Sequence, residues 1–240
     1  MKMRKGMLAL TAFAALILFS GCQKEDDTNL DGLVTEEEAA YAVEYAVSSE
    51  TGGLSTTTLT AASVAGTYGA GKWCGVSKDS SFSLSKSKGG ASYTYANQWS
   101  WVVNCSQLKV PESVDFKANA TGQYTTAVVS SSGNTGVATV KVTGLTPASA
   151  PYNLAGGYIH KGTAAMQIGK KATFTSDVTV NFSDLKVSKT TYQIESGSAT
   201  FTVSGASSLG QSYSYSGAIQ FNGNGTATLT LGGKTYPITL

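Results

Sequence analysis

Arginine is nearly absent from this chain of 240 residues, since Arg4 is the only one. The guanidinium group makes the bidentate contacts that recognition of phosphate, carboxylate and nucleic-acid bases depends on. The sequence therefore argues against nucleic-acid binding, and no nucleic-acid partner is expected.

The side chains that carry catalysis are also scarce. His160 is the only histidine, whereas a zinc site normally takes several nitrogen or sulfur ligands. Asp177 and Asp184 flank one predicted strand, but a glycosidase needs two carboxyl groups facing each other across a cleft. Neither a Gly-x-Ser-x-Gly elbow nor an HExxH motif occurs. The sequence predicts no enzyme, no metal site and no cofactor.

The chain has no apolar run long enough to cross a bilayer, which needs about 20 residues. The longest run, Met7–Phe19, has 13 apolar or small residues and follows Lys2, Arg4 and Lys5. This pattern is typical of a signal peptide. It ends in Leu-Phe-Ser-Gly-Cys22, which resembles the lipobox of bacterial lipoproteins. That resemblance implies removal of residues 1–21 and acylation of Cys22 with palmitate-type chains, which together anchor a protein stably.

The five residues after the lipobox begin an acidic segment. Gln23 is followed by Lys24, Glu25, Asp26 and a second aspartate, which resembles the export signal of Bacteroidota-type surface lipoproteins. The resemblance implies an outer-membrane protein that is lipid-anchored and faces the cell exterior, with Lys24, Glu25 and Asp26 as sorting residues. The alternative is a plain solvated tether.

Charge and periodicity divide the mature chain. Residues 22–50 hold nine acids against one lysine, a net charge of −8, and residues 51–240 hold 13 lysines against six acids, a net charge of +7. We predict an acidic tether over 22–34 and one short helix within 35–50, begun by a capping box at Thr35. Residues 54–240 alternate with period two between glycine turns. The expected fold class is mainly β: one N-terminal helix and about eleven strands in a large antiparallel sheet folded as a sandwich, a barrel or a curved open sheet.

Two glycine pairs set the register of two hairpins. Pairing outward from Gly89-Gly90 buries Val76, Leu84, Tyr95 and Val103 on one face and places Cys74 opposite Cys105. These are the two cysteines left once Cys22 is acylated, and exported proteins usually oxidise such pairs. We predict a Cys74–Cys105 disulfide.

The second pair, Gly232-Gly233, places Leu229 opposite Tyr236 and Ala227 opposite Ile238. Pro237 then points to the other face, and its missing N–H predicts that the last strand is an edge strand.

A row of aromatic residues lies on one face of the first hairpin: Tyr93, Tyr95, Trp99 and Trp101. Such a row can stack on the sugar rings of a glycan, but Val76, Val103 and the cysteines share the face, a pattern that favours core over a glycan platform.

The whole chain resembles a group of Bacteroidota-type surface lipoproteins of unknown function. The matching features are the lipobox with QKEDD, the acidic helix ending in Gly52-Gly53, and Trp73-Cys74-Gly75 with its aromatic hairpin. We expect a non-catalytic binding module for glycan or another extracellular polymer, held to the membrane by its lipid. The alternatives are a carrier for an apolar ligand and a structural component of the envelope.

Overall fold

The computed structural model describes residues 32–69, 71–146, 151–169 and 171–240. The predicted signal peptide, Cys22 and the sorting residues Lys24, Glu25 and Asp26 lie outside this part of the chain. Within it, two helices precede ten strands, so the expected mainly β fold with an antiparallel sheet is confirmed. The elements are α1 Glu36–Val47, α2 Leu54–Tyr68, β1 Ser77–Lys88, β2 Ala91–Cys105, β3 Pro111–Thr125, β4 Val129–Thr143, β5 Tyr152–Met166, β6 Thr173–Val187, β7 Ile194–Ala206, β8 Ser212–Gly223, β9 Thr226–Leu231 and β10 Lys234–Thr239.

The ten strands form one sheet in chain order. Each strand pairs antiparallel with the next, and β1 and β10 are left as the two edges, so the sheet is open. The register predicted for the last hairpin is confirmed, with Leu229 opposite Tyr236 and Ala227 opposite Ile238. Pro237 lies in the edge strand β10, where a missing N–H costs no ladder hydrogen bond on the free side.

Helix α1 forms where the capping box predicts it. The backbone N–H of Glu38 donates to the hydroxyl of Thr35, and the backbone N–H of Thr35 donates to the Glu38 carboxylate. The helix ends at Val47, inside the predicted range of 35–50. Its buried face, which includes Ala39, Val43 and Ala46, packs on the sheet.

Helix α2 contradicts the prediction that a β domain begins at residue 54. Its fifteen residues include five threonines, and β-branched residues favour strands. The structure satisfies two of these hydroxyls inside the helix, since Thr58 donates to the carbonyl of Ser55 and Thr60 to that of Thr56, whereas Thr56 donates to the carbonyl of Ser49 before the helix. The burial of Leu54, Ala61 and Ala65 follows helical spacing.

One face of the sheet carries the core. Helix α1 contacts β5, β6, β7, β9 and β10, whereas α2 contacts β3 to β7. Side chains on this inner face are buried, and those on the opposite, outer face are mostly polar and exposed, as strand periodicity requires.

The first hairpin has the predicted register, with Leu84 opposite Tyr95 and Ser77 opposite Val102. The ladder stops at Ser77, but a disulfide still joins Cys74 to Cys105 across a Cα–Cα distance of 5.6 Å. Tyr95 and Val103 are buried, but the expected burial of Val76 and Leu84 is wrong, since they are 42% and 38% exposed. Strand β1 is an edge with a neighbour on one side only, so less of it is covered.

Candidate functional site

The aromatic row of β2 belongs to the core rather than to an exposed platform. Tyr93, Tyr95 and Trp101 are buried on the inner face, and Trp101 packs against Tyr68 of α2 with ring centroids 5.0 Å apart. Burial, together with the nearby Glu50 carboxylate, raises the pKa of Tyr93 to about 12. Three of the four candidate stacking residues therefore cannot offer a ring face to a glycan.

Trp99, the fourth member of the row, is only partly buried. Its ring meets Phe82 edge-on with centroids 5.7 Å apart. Its indole N–H makes no hydrogen bond within the described part of the chain. Trp99 also contributes to the lining of an open groove, although strand alternation places its ring on the inner face with Tyr93, Tyr95 and Trp101.

This groove lies across the first three strands and has a volume of about 430 Å³. The strand register brings two rows of outer-face side chains together there. Asp79, Ser100 and Lys117 are opposite one another in one row. The second row consists of Ser81, Gln98 and Asn119. The full lining, which we name the β1–β3 groove, is Asp79, Ser80, Ser81, Gln98, Trp99, Ser100, Lys117 and Asn119.

The chemistry of the β1–β3 groove is that of a neutral, hydrogen-bonding surface. Gln98 and Asn119 each offer an amide donor and an amide acceptor, and the serine hydroxyls can do both. One carboxylate and one ammonium group bring the formal charge of the lining to zero. The groove can therefore bind a polar, uncharged surface through many weak contacts.

A second open groove, of about 460 Å³, crosses β2 to β6 nearer the opposite end of the strands. We name it the hydroxyl groove because serine and threonine dominate its lining. Its lining is Ser92, Thr94, Gln123, Tyr124, Thr125, Ser130, Ser131, Ser132, Thr163, Ala165 and Thr173.

A bulge in β4 turns polar side chains toward the inner face beside the hydroxyl groove. The register with β5 shifts between Ser132 and Thr135, so that both Ser131 and Asn134 point inward and are buried. Ser131 donates to the amide oxygen of Asn134 at 2.7 Å. That oxygen fills the space over Gly162, where a Cβ would lie only 2.0 Å from it.

His160 lies on the same strand face, two residues before Gly162, and is buried. Burial lowers its pKa from 6.5 to about 4, and the Asp177 carboxylate opposes this shift. His160 Nδ1 and the amide nitrogen of Asn134 are buried and make no hydrogen bond within the described residues. Ordered water commonly satisfies such groups. The prediction missed Asn134, although a Gly133-Asn134 pair inside a strand pattern signals a bulge.

The two acids predicted to flank a strand, Asp177 and Asp184, instead lie within β6 and are engaged in surface ion pairs. Asp177 pairs with Lys161, and Asp184 pairs with Lys186 at 2.6 Å. Among the described residues, no group of three or more His, Cys, Asp or Glu side chains could hold a metal ion. Neither α1 nor α2 is long and apolar enough to cross a membrane.

No protein family model, no curated protein and no solved structure matches this chain.

Proposed function

We propose that this chain is a lipid-anchored surface lipoprotein whose β domain binds a glycan or another polar extracellular polymer without catalysing its conversion. In this proposal Cys22 carries the lipid, Lys24, Glu25 and Asp26 direct export, and the outer face of the sheet meets the polymer. The observation that carries the binding function is the β1–β3 groove, where strand register aligns six polar side chains over three strands.

The openness of the groove suits a polymer better than a small molecule. Small ligands bind in concave sites that bury most of their surface and are lined largely by apolar groups. Polar side chains line the β1–β3 groove instead, and it runs along an exposed sheet face. A long chain can lie across such a surface, and its repeated weak contacts add up through multivalency.

The inner face gives less support to a carrier for an apolar ligand. There α1 and α2 pack on the sheet, and a pocket beside Leu59, Tyr192 and Leu240 has a volume of about 90 Å³. Sites for drug-sized ligands measure roughly 300–1,000 Å³. This pocket is too small for such a ligand.

The test is affinity electrophoresis of the folded protein through gels that contain one soluble polysaccharide each, neutral or anionic. We expect at least one neutral polymer to retard the wild-type protein. The double variant Gln98→Ala and Asn119→Ala should lose this retardation because both amide side chains of the groove are removed.

The matched control is the double variant Gln220→Ala and Asn181→Ala, which removes two exposed amides from the outer face on β8 and β6. It should migrate like the wild type. Equal retardation of both double variants, or free migration of the wild type in every gel, would contradict binding at the β1–β3 groove.

A further inference from the structure

Three exposed apolar side chains lie at the end of the domain where the described chain begins. Leu33 is 43% exposed, Ile168 is 47% exposed in the β5–β6 loop, and Leu209 is 66% exposed in the β7–β8 loop. We name these three residues the apolar rim.

Contacts between the segments hold the rim together. A Cβ on Gly32 would lie 2.9 Å from the side chain of Leu209, so the two segments touch. The backbone N–H of Ser208 donates to the carbonyl of Thr173 at 2.8 Å. This bond joins the β7–β8 loop to the first residue of β6, which follows the β5–β6 loop, so the three segments lie at one end of the sheet.

The chain enters the domain at this same end. The hydroxyl of Tyr215 donates to the carbonyl of Val34 at 2.7 Å, and Glu36 pairs with Lys234 at the β9–β10 turn. Leu33 therefore lies directly before a segment that is fixed to the sheet.

We propose that the apolar rim rests on the lipid surface that holds the acylated Cys22 and orients the domain with this end toward the membrane. The inference rests on the proposed lipid anchor at Cys22. It adds a second contact between this chain and the membrane, made by side chains of the folded domain.

The length of the tether selects this end of the domain. Cys22 and Gly32 are ten residues apart, so even a fully extended chain spans at most about 35 Å. Strands such as β3 and β5 have 15 residues and are about 50 Å long. If the far end, where Leu108 is 86% exposed, lay against the membrane, Gly32 would have to lie about one strand length above it. The tether is shorter than a strand, so it excludes this orientation.

This orientation has a consequence for the β1–β3 groove. Ser81 and Asp79 lie seven and nine residues before Lys88 at the first hairpin turn, or about 25–30 Å along the strand. The groove is thus held away from the lipid and faces the exterior, where a polymer can reach it.

The test uses the mature, acylated protein in vesicles of phosphatidylethanolamine and phosphatidylglycerol whose acyl chains are brominated near the headgroups. Bromine quenches tryptophan emission only at contact range. Leu209→Trp places a reporter in the rim, and Ile168→Trp places an independent one there. Leu108→Trp is the matched control at the far end. Subtracting the wild-type emission spectrum removes the contribution of the native tryptophans.

We expect the added emission of Leu209→Trp and Ile168→Trp to be largely lost in brominated vesicles and that of Leu108→Trp to be unchanged. Equal quenching at residue 108 would contradict the rim contact. So would the absence of quenching at both rim positions in protein that floats with the vesicles. Neither result would contradict the lipid anchor. If the wild-type protein does not float with the vesicles, the proposed lipid anchor is wrong, and the rim inference, which depends on that anchor, is wrong as well.

Discussion

His160 shows at the residue scale how burial changes the chemistry of a side chain. The histidine is the only one in the sequence, and it lies on the inner face beside Asn134 and Gly162 rather than in an open cleft. Because a buried imidazolium is poorly solvated, the pKa of His160 falls to about 4. The neutral ring is therefore the native form at neutral pH, and His160 acts as a pH-sensitive part of the core.

The first prediction concerns the pH dependence of stability. The folded-state pKa of about 4 lies below the unfolded value of 6.5, so protons bind preferentially to the unfolded chain. The stability that neutral His160 provides is complete above pH 6.5 and is lost as the pH falls toward 4. Between pH 7 and pH 4 the wild type should lose about 3 kcal/mol more than His160→Gln.

Urea unfolding at a series of pH values measures this difference. The variant His160→Gln is the control because it keeps the carboxylates of the chain, which titrate in the same range, and removes only the imidazole. Parallel stability curves for the two proteins would show that His160 protonates as easily in the fold as in the unfolded chain.

At the element scale, the hairpin of β1 and β2 depends on one strand that has few contacts of its own. Strand β1 is an edge with neither face fully buried, and serines and lysines dominate it, as is common in edge strands that resist pairing with other chains. The Cys74–Cys105 disulfide closes the segment that contains the whole hairpin. We infer that the disulfide holds this edge in place.

The second prediction concerns that disulfide. Cys74→Ser with Cys105→Ser should lower the free energy of unfolding by about 3–4 kcal/mol, because the bridge closes a loop of roughly 30 residues in the unfolded chain. Chemical denaturation of the double variant and of the reduced wild type should give similar losses. Peptide mapping of the unreduced protein must recover the two cysteine peptides linked, and free thiols at both positions would contradict the bridge.

At the scale of the whole molecule, the lipid anchor, the apolar rim and the β1–β3 groove form one proposed arrangement. The anchor and the rim hold one end of the strands at the membrane, and the groove lies toward the other end. The uneven charge along the sequence agrees with this arrangement, since an acidic tether would keep the linker hydrated between a lipid surface and a lysine-bearing domain.

The third prediction tests the anchor itself. Cys22→Ser should leave a precursor that keeps its signal peptide and incorporates no palmitate, because the thiol is the group that is acylated. Metabolic labelling and the mass of the purified protein measure both effects. A variant that is cleaved and labelled normally would refute acylation at Cys22.

The control replaces Lys24, Glu25 and Asp26 by alanine. It should keep its palmitate and lose only its exposure to protease added outside the cell, because sorting and acylation are separate steps. If the variant remained as accessible to external protease as the wild type, Lys24, Glu25 and Asp26 would be part of a plain tether and would have no role in sorting.

Local patterns in the sequence were enough to predict a mainly β, antiparallel fold, the start of α1 and the register of two hairpins, although about eleven strands were expected and ten are present. The capping box at Thr35, the alternation of side chains and the glycine pairs at residues 89–90 and 232–233 act over a few residues, so they need no knowledge of the rest of the fold. The pairing of Cys74 with Cys105 was predicted by extending one of these registers, although the ladder itself stops at Ser77.

Tertiary packing decided the properties that depend on residues far apart in the sequence. Helix α2 forms from a threonine-rich segment because the sheet offers its alanine face a core to bury, and this overrides strand propensity. The inner face buries Tyr93, Tyr95 and Trp101 because two helices cover it. The grooves and the apolar rim likewise join side chains from several strands or loops. Their neighbours are set by the order of ten strands, which local pattern alone does not encode.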